Sequence, residues 1–224
     1  MKRSLRDHGL GLFFGAIFLL TLAGQSLTGL AVYNQEQVAA GLDKIGYLRF
    51  ITSSAFAVDV AENWQSEFLQ FFLFIGATIW FVQRGSPESK EVGKEGLGTD
   101  KEQKLGRYSL RDSPPWSKAG GIRLWLFSNS LLIVMGLVFL ASWYAQSVAG
   151  VVAYNEEQFR MLQPPVSWAG YVASADFWNR TLQNWQSGFL AVGSMVVLSI
   201  YLRQRGSPES KPVGEPHMTT AVEG

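Results

Sequence analysis

The octet Gln-Arg-Gly-Ser-Pro-Glu-Ser-Lys occurs twice, at 83–90 and at 204–211. The same offset of 121 residues aligns Gln25-Ser26 with Gln146-Ser147, Tyr33-Asn34 with Tyr154-Asn155 and Glu36-Gln37 with Glu157-Gln158. It also aligns Asn63-Trp64-Gln65-Ser66 with Asn184-Trp185-Gln186-Ser187. Without a gap, 24 of the 66 positions from Gln25 to Lys90 are identical. A chain duplicated in this way is expected to build each local structure twice, so whatever one copy requires the other must also supply.

Four runs free of Asp, Glu, Lys and Arg carry the apolar residues: Leu10–Val32, Phe68–Val82, Leu131–Tyr144 (extending through Gln146 to Ala153) and Phe189–Leu202. A helix needs about 20 apolar residues to cross a bilayer core of roughly 30 Å. The first run is long enough. The second rises only about 22 Å, so to span it must draw in the preceding Asn63-Trp64-Gln65-Ser66-Glu67. These runs predict an all-α membrane protein whose four transmembrane helices form two tandem hairpins, with helical extensions on the extracytoplasmic side. Lys2, Arg3 and Arg6 before the first run resemble a signal-peptide start. The equivalent segment of the second copy lies mid-chain, which favours a retained first span.

Basic residues set the orientation. Three precede the first span, nine lie between Arg84 and Arg123, and three follow the last span, against two in each intervening loop. Both termini and the central linker are therefore expected in the cytoplasm. The two hairpins then form a parallel repeat, related by an axis along the membrane normal. The expected divisions are a first membrane repeat (1–90), a flexible linker (91–120), a second repeat (121–211) and a disordered tail (212–224).

In the extracytoplasmic loops, Gly41 is expected to stop the first helix, and its counterpart should end before Pro164-Pro165. Ser167 can cap a short helix, Trp168–Ala173. Ser53 or Ser54, and Ser174, can cap the second helix of each hairpin. Aromatic residues such as Tyr33, Trp64, Tyr154 and Trp185 mark the outer boundary.

Composition narrows the chemistry. Of the 224 residues 17% are charged, the net charge is +1 and there is no cysteine. That balance gives no reason to expect nucleic acid as a partner, and thiol chemistry and thiolate metal sites are excluded. The two histidines, His8 and His217, lie near the termini, where neither can ligate a haem inside a bundle. No nucleophile motif or phosphate loop is present. The expectation is a non-enzyme without metal or cofactor.

Two groups of residues are candidates for function. The first is a polar set near the outer leaflet: Gln25, Ser26, Asn63, Gln65, Ser66 and Glu67, with Gln146, Ser147, Asn184, Gln186 and Ser187. Such side chains must find partners in a membrane. They are either interhelical glue or a polar pocket open to the outside. Asn63, Ser66, Glu67 and Gln70 fall on one helical face. Glu67 is replaced by Gly188 in the second copy, so it is either a protonatable or cation-binding group or an interfacial carboxylate. The second group is the octet. Arg84, Ser86 and Lys90, with Arg205, Ser207 and Lys211, either end a helix and anchor it at anionic headgroups or make a specific headgroup or protein contact. In the first case Gly85 supplies a left-handed helix cap and Pro87 prevents resumption. Tyr33-Asn34 with Glu36-Gln37, and their repeats, read as a hydrogen-bonded hairpin corner rather than a metal site, since bundle metal sites pair Glu with His.

The motifs Tyr-Asn-x-Glu-Gln, Asn-Trp-Gln-Ser-x-Phe-Leu and Arg-Gly-Ser-Pro-Glu-Ser-Lys, each present twice, resemble a bacterial family of small four-helix inner-membrane proteins, a domain of unknown function. The resemblance covers the chain except the linker and tail. It implies a bacterial inner-membrane location and no activity, so no functional residue is carried over. Taken with the residues, it points to a structural or accessory membrane subunit that binds lipids and a protein partner or a second copy. The alternative is a small transporter or channel using Glu67 and the polar cluster.

Overall fold

The fold is given by a computed structural model that describes residues 7–222; Lys2, Arg3 and Arg6 lie outside the described residues. Seven α-helices account for its regular structure among those residues. They are α1 (Gly9–Ala39), α2 (Tyr47–Ile51), α3 (Ser54–Trp80), α4 (Gly121–Ser128), α5 (Ser130–Arg160), α6 (Trp168–Val172) and α7 (Ala175–Tyr201). Two short 3₁₀ turns, Gly106–Tyr108 and Pro115–Lys118, interrupt the linker. The described residues contain no strand. Two helices, α1 and α5, are long and apolar enough to cross a membrane. α3 and α7 are 27 residues each and run unbroken through Asn63-Trp64-Gln65-Ser66 and Asn184-Trp185-Gln186-Ser187. That polar stretch dilutes their apolar character.

The helix ends follow local chemistry. α1 closes in a Schellman turn: the Leu42 amide donates to Gln37 O at 2.8 Å and the Gly41 amide to Val38 O at 3.0 Å, with Gly41 at φ +73°. α5 closes in the same turn 121 residues later, Gln163 N to Gln158 O at 2.8 Å and Leu162 N to Phe159 O at 3.1 Å. Here a leucine takes the left-handed position, at φ +57°. Serines open the next helices. Ser53 Oγ accepts from Phe56 N at 3.3 Å, Ser167 Oγ from Gly170 N at 3.1 Å, and Ser174 Oγ from Phe177 N at 3.2 Å. A break that the apolar pattern hides separates α4 from α5. Asn129 Nδ2 donates to Trp125 O and Ser130 Oγ to Phe127 O, both at 2.8 Å, so side chains take carbonyls at the end of α4.

By mutual contact the chain divides into two units, Met1–Ala61 with Ala145–Phe177, and Glu62–Tyr144 with Trp178–Gly224. The core of the first is aromatic. Phe50, Tyr171 and Phe177 are buried. Phe50 lies 5.6 Å from Tyr33 and 5.4 Å from Phe56, ring to ring. Tyr171 lies 5.4 Å from Tyr154 and 5.5 Å from Phe177. Both plugs fit against glycines: a Cβ on Gly29 would come 2.9 Å from Phe50 Cζ, and one on Gly150 would come 2.7 Å from Tyr171 Cε1.

The second unit packs α5 on α3 through small residues. A Cβ on Gly136 would meet the Phe72 ring at 3.0 Å, and one on Gly76 would meet Leu132 at 3.7 Å. Phe139, Trp143, Trp178 and Trp185 form a ring cluster with centroid separations from 5.6 to 6.5 Å.

Residues 91–120 hold no α-helix or strand, and their start is tied down. Gly96 N donates to Ile79 O at 2.7 Å. Thr99 and Glu102 cap each other reciprocally, and the hydrogen bonds from Thr99 hold the Glu102 carboxyl below the usual carboxylate range. The segment 212–222, expected to be disordered, has no helix or strand, yet its groups bond to the first octet, as described below.

Candidate functional site

The hairpin corners are built from the Tyr-Asn-x-Glu-Gln motif. Asn34 Oδ1 accepts from Ile45 N at 2.8 Å while its Nδ2 donates to Ile45 O at 3.0 Å. Asn155 makes the same pair of bonds to Val166, at 2.8 and 3.0 Å. One amide thus satisfies both polar groups of a residue eleven positions on, which fixes the corner without a turn of regular structure. About two turns earlier, Ser26 Oγ meets Tyr47 OH at 2.9 Å, and Trp168 Nε1 donates to Ser147 Oγ at 3.0 Å. These serines are buried, as is Gln146, while Gln25 is half-buried. Among the described residues no three His, Cys, Asp or Glu side chains cluster to hold a metal ion; Glu157 pairs with Arg160 at 3.4 Å.

The polar face expected on α3 is split. Ser66 and Gln70 are buried, but Asn63 and Glu67 are exposed. The buried stripe runs instead through Val58, Ala61, Gln65 and Leu69, spaced by three and four residues. Gln65 is fully buried and its Oε1 accepts from Trp185 Nε1 at 2.7 Å. Its Nε2 is buried with no acceptor among the described residues. Ser66 Oγ bonds back to Asn63 O at 3.2 Å. In α7, Asn184 Nδ2 donates to Arg180 O at 3.0 Å, and Ser187 Oγ to Asn184 O at 2.9 Å. Gln186 and Ser187 are exposed. Equivalent residues of the two copies therefore do different jobs: Gln65 is buried and Gln186 is not.

The structure accounts for the Glu67-to-Gly188 change. Gly188 is buried, and the Gln70 side chain occupies the space a Cβ there would take, with Gln70 Cγ only 2.9 Å away. Gln70 itself becomes Ala191 in the second copy. A further contact had no sequence signal: Arg180 Nη1 bonds to Glu62 Oε2 at 3.1 Å, where the repeat places Asp59 and Gln183.

The octets fold as closed local units, which corrects the expected helix cap. α3 ends at Trp80 and α7 at Tyr201. Gly85 and Gly206 sit beyond those ends, inside turns closed by Ser86 N to Gln83 O at 3.1 Å and Ser207 N to Gln204 O at 3.2 Å. Their φ values, +88° and +84°, suit the third position of such a turn. Ser89 Oγ then accepts from Gln83 N at 2.8 Å, and Ser210 Oγ from Gln204 N at 2.9 Å. Ser86 and Ser207 each accept from the Glu amide two residues on, at 3.2 Å. Both retained serines thus have a local structural use.

Lys90 Nζ bonds to Gly96 O. Lys211 is buried and donates to Gly85 O at 2.6 Å, His217 O at 2.7 Å and Thr219 O at 3.1 Å. Burial, then the Arg203 charge, lower the pKa of this ammonium from its ordinary value. Arg84 and Arg205 are the exposed cations of the octets, whereas Ser86 is buried. The expected contact set for headgroups therefore divides into two exposed arginines and a group of internally used serines and lysines.

Neither the curated proteins nor the solved structures contain a significant match to the chain. A family model described as a domain of unknown function, DUF6766, matches residues 1–222. The chain, helical in its regular structure over the described residues, belongs to that family.

Proposed function

We propose that this is a four-span bacterial inner-membrane protein with both termini in the cytoplasm, acting as a structural or accessory subunit. Its two tandem hairpins form a parallel repeat. α1 and α5 present long apolar surfaces suited to lipid. α3 and α7 complete the hairpins, joined by the bond from Trp185 Nε1 to Gln65 Oε1. The observation that carries the accessory reading is how the intramembrane polar groups are used: Ser26 with Tyr47, Ser147 with Trp168 and Gln65 with Trp185. These bonds join one helix to another, which is the role of glue. The partners are membrane lipids and a membrane protein or second copy, and the reading assigns no catalysis. Native mass spectrometry of protein extracted gently from its own membrane tests it. A protein partner or second copy at defined stoichiometry is expected; a bare monomer carrying neither contradicts it.

The second reading, a small transporter or channel, rests on Glu67, an exposed carboxylate on a 27-residue helix. It requires that Glu67→Gln abolish proton- or cation-coupled flux in reconstituted vesicles. Unchanged flux removes it.

A further inference from the structure

We infer that residues 212–222 form a clasp that locks the two octets to each other, with Lys211 as its pin. The two copies begin alike. In each, the octet lysine reaches the carbonyl six residues on, Lys90 to Gly96 and Lys211 to His217. In each, that residue turns back to the last turn of its own helix: Gly96 N donates to Ile79 O at 2.7 Å, and His217 Nδ1 to Ile200 O at 3.0 Å. Arg203 adds to the second return by donating to Ser199, Ile200 and Glu215 carbonyls.

The second copy then does what the first does not. Lys211 Nζ also binds Gly85 O, 126 residues away in sequence. Thr220 Oγ1 accepts from Gly85 N at 2.9 Å, and Ala221 N donates to Ser86 O at 3.2 Å. The fit leaves no room at Gly85, where a Cβ would come 2.6 Å from His217 O; at Gly206 it would meet nothing within 4 Å. A buried ammonium surrounded by carbonyls makes charge-assisted hydrogen bonds that a neutral side chain cannot replace. While the clasp is closed, the C-terminal ends of α3 and α7 move as one. When it opens, each keeps its own octet but loses its neighbour.

Hydrogen exchange on the full chain in lipid nanodiscs, followed by mass spectrometry, tests this directly. Lys211→Met is expected to speed exchange of peptides covering 83–90 and 216–222 by roughly tenfold or more, since charged hydrogen bonds are lost. Lys90→Met is expected to speed exchange near Gly96 and leave 204–211 unchanged. Thr220→Val, which removes a single hydroxyl, is expected to speed exchange at 83–90 alone, and it decides the matter if Lys211→Met does not fold. Unchanged exchange at 83–90 in Thr220→Val, or in a folded Lys211→Met, overturns the clasp. So does equal loosening of 204–211 by Lys90→Met.

Discussion

Gly188 lies against the side chain of Gln70, which fills the volume a Cβ at position 188 would need. The two helices carrying them, α3 and α7, come from the two copies of the repeat, and at this point only one large side chain fits. Gly188→Ala is therefore expected to destabilise the protein by about 1–3 kcal/mol through overpacking. Gln70→Ala should recover much of that loss when combined with it, a coupling of about 1 kcal/mol or more. Thermal melts of the two single variants and the double in detergent measure it. Strict additivity would mean that the contact carries no energy.

Gln65, fully buried, and Trp185, half-buried, are joined in the same unit by a hydrogen bond of 2.7 Å. Trp185→Phe strands the Gln65 oxygen and should cost about 1–3 kcal/mol. Gln65→Met strands the indole N–H but also removes an amide nitrogen that is buried without an acceptor. It should cost less than Trp185→Phe. The double variant should be more stable than the sum of the two losses, as read by chemical or thermal unfolding.

Leu162 holds a left-handed conformation at φ +57° where Gly41 holds φ +73° in the first copy. A non-glycine residue there costs roughly 1–2 kcal/mol, part of which glycine returns in unfolded-chain entropy. Leu162→Gly should stabilise the chain by about 0.5–1 kcal/mol and raise its melting temperature. Gly41→Leu should do the reverse.

Much of this was legible from residues alone, and what was missed has a common cause. Caps were readable because they are local. Ser53, Ser167 and Ser174 sit where helix starts need an acceptor, and Gly41 sits where a helix stop needs positive φ. The repeat predicted paired corners, and Asn34 and Asn155 make them with the same two bonds. On α3, Asn63 and Glu67 share a helical stripe with Ser66 and Gln70 yet fall at its exposed margin. Periodicity gives the stripe, not its edges. Gln65 and Gln186 stand in the same motif, and only the packing of Gln65 against Trp185 separates it from its exposed counterpart. The folding of the octet was hidden because Gly85 and Pro87 suit both a helix cap and a later turn; the serine bonds to Gln83 and Gln204 select the turn. Nothing in the tail's composition signalled that Thr220 and Lys211 reach Gly85, since contacts over such sequence separations leave no local pattern.

The two octet glycines offer a matched comparison. Gly85→Ala and Gly206→Ala meet the same backbone strain, about 1–2 kcal/mol. Only Gly85→Ala also presses on a neighbour, the His217 carbonyl. It should therefore lower the melting temperature more than Gly206→Ala. Equal shifts would mean that the tail does not sit against the first octet.

The membrane hairpins proposed above are directly testable because the chain has no cysteine of its own. Single cysteines at Leu42, Lys101, Leu162 and Val213 place one probe in each loop, the linker and the tail. Labelling of intact cells or spheroplasts with a membrane-impermeant thiol reagent, before and after permeabilisation, reads their sides. Leu42→Cys and Leu162→Cys are expected to label from outside in intact spheroplasts, and Lys101→Cys and Val213→Cys only after permeabilisation. Labelling of Leu42→Cys and Leu162→Cys from opposite sides, or of all four alike, would contradict two hairpins inserted in the same direction.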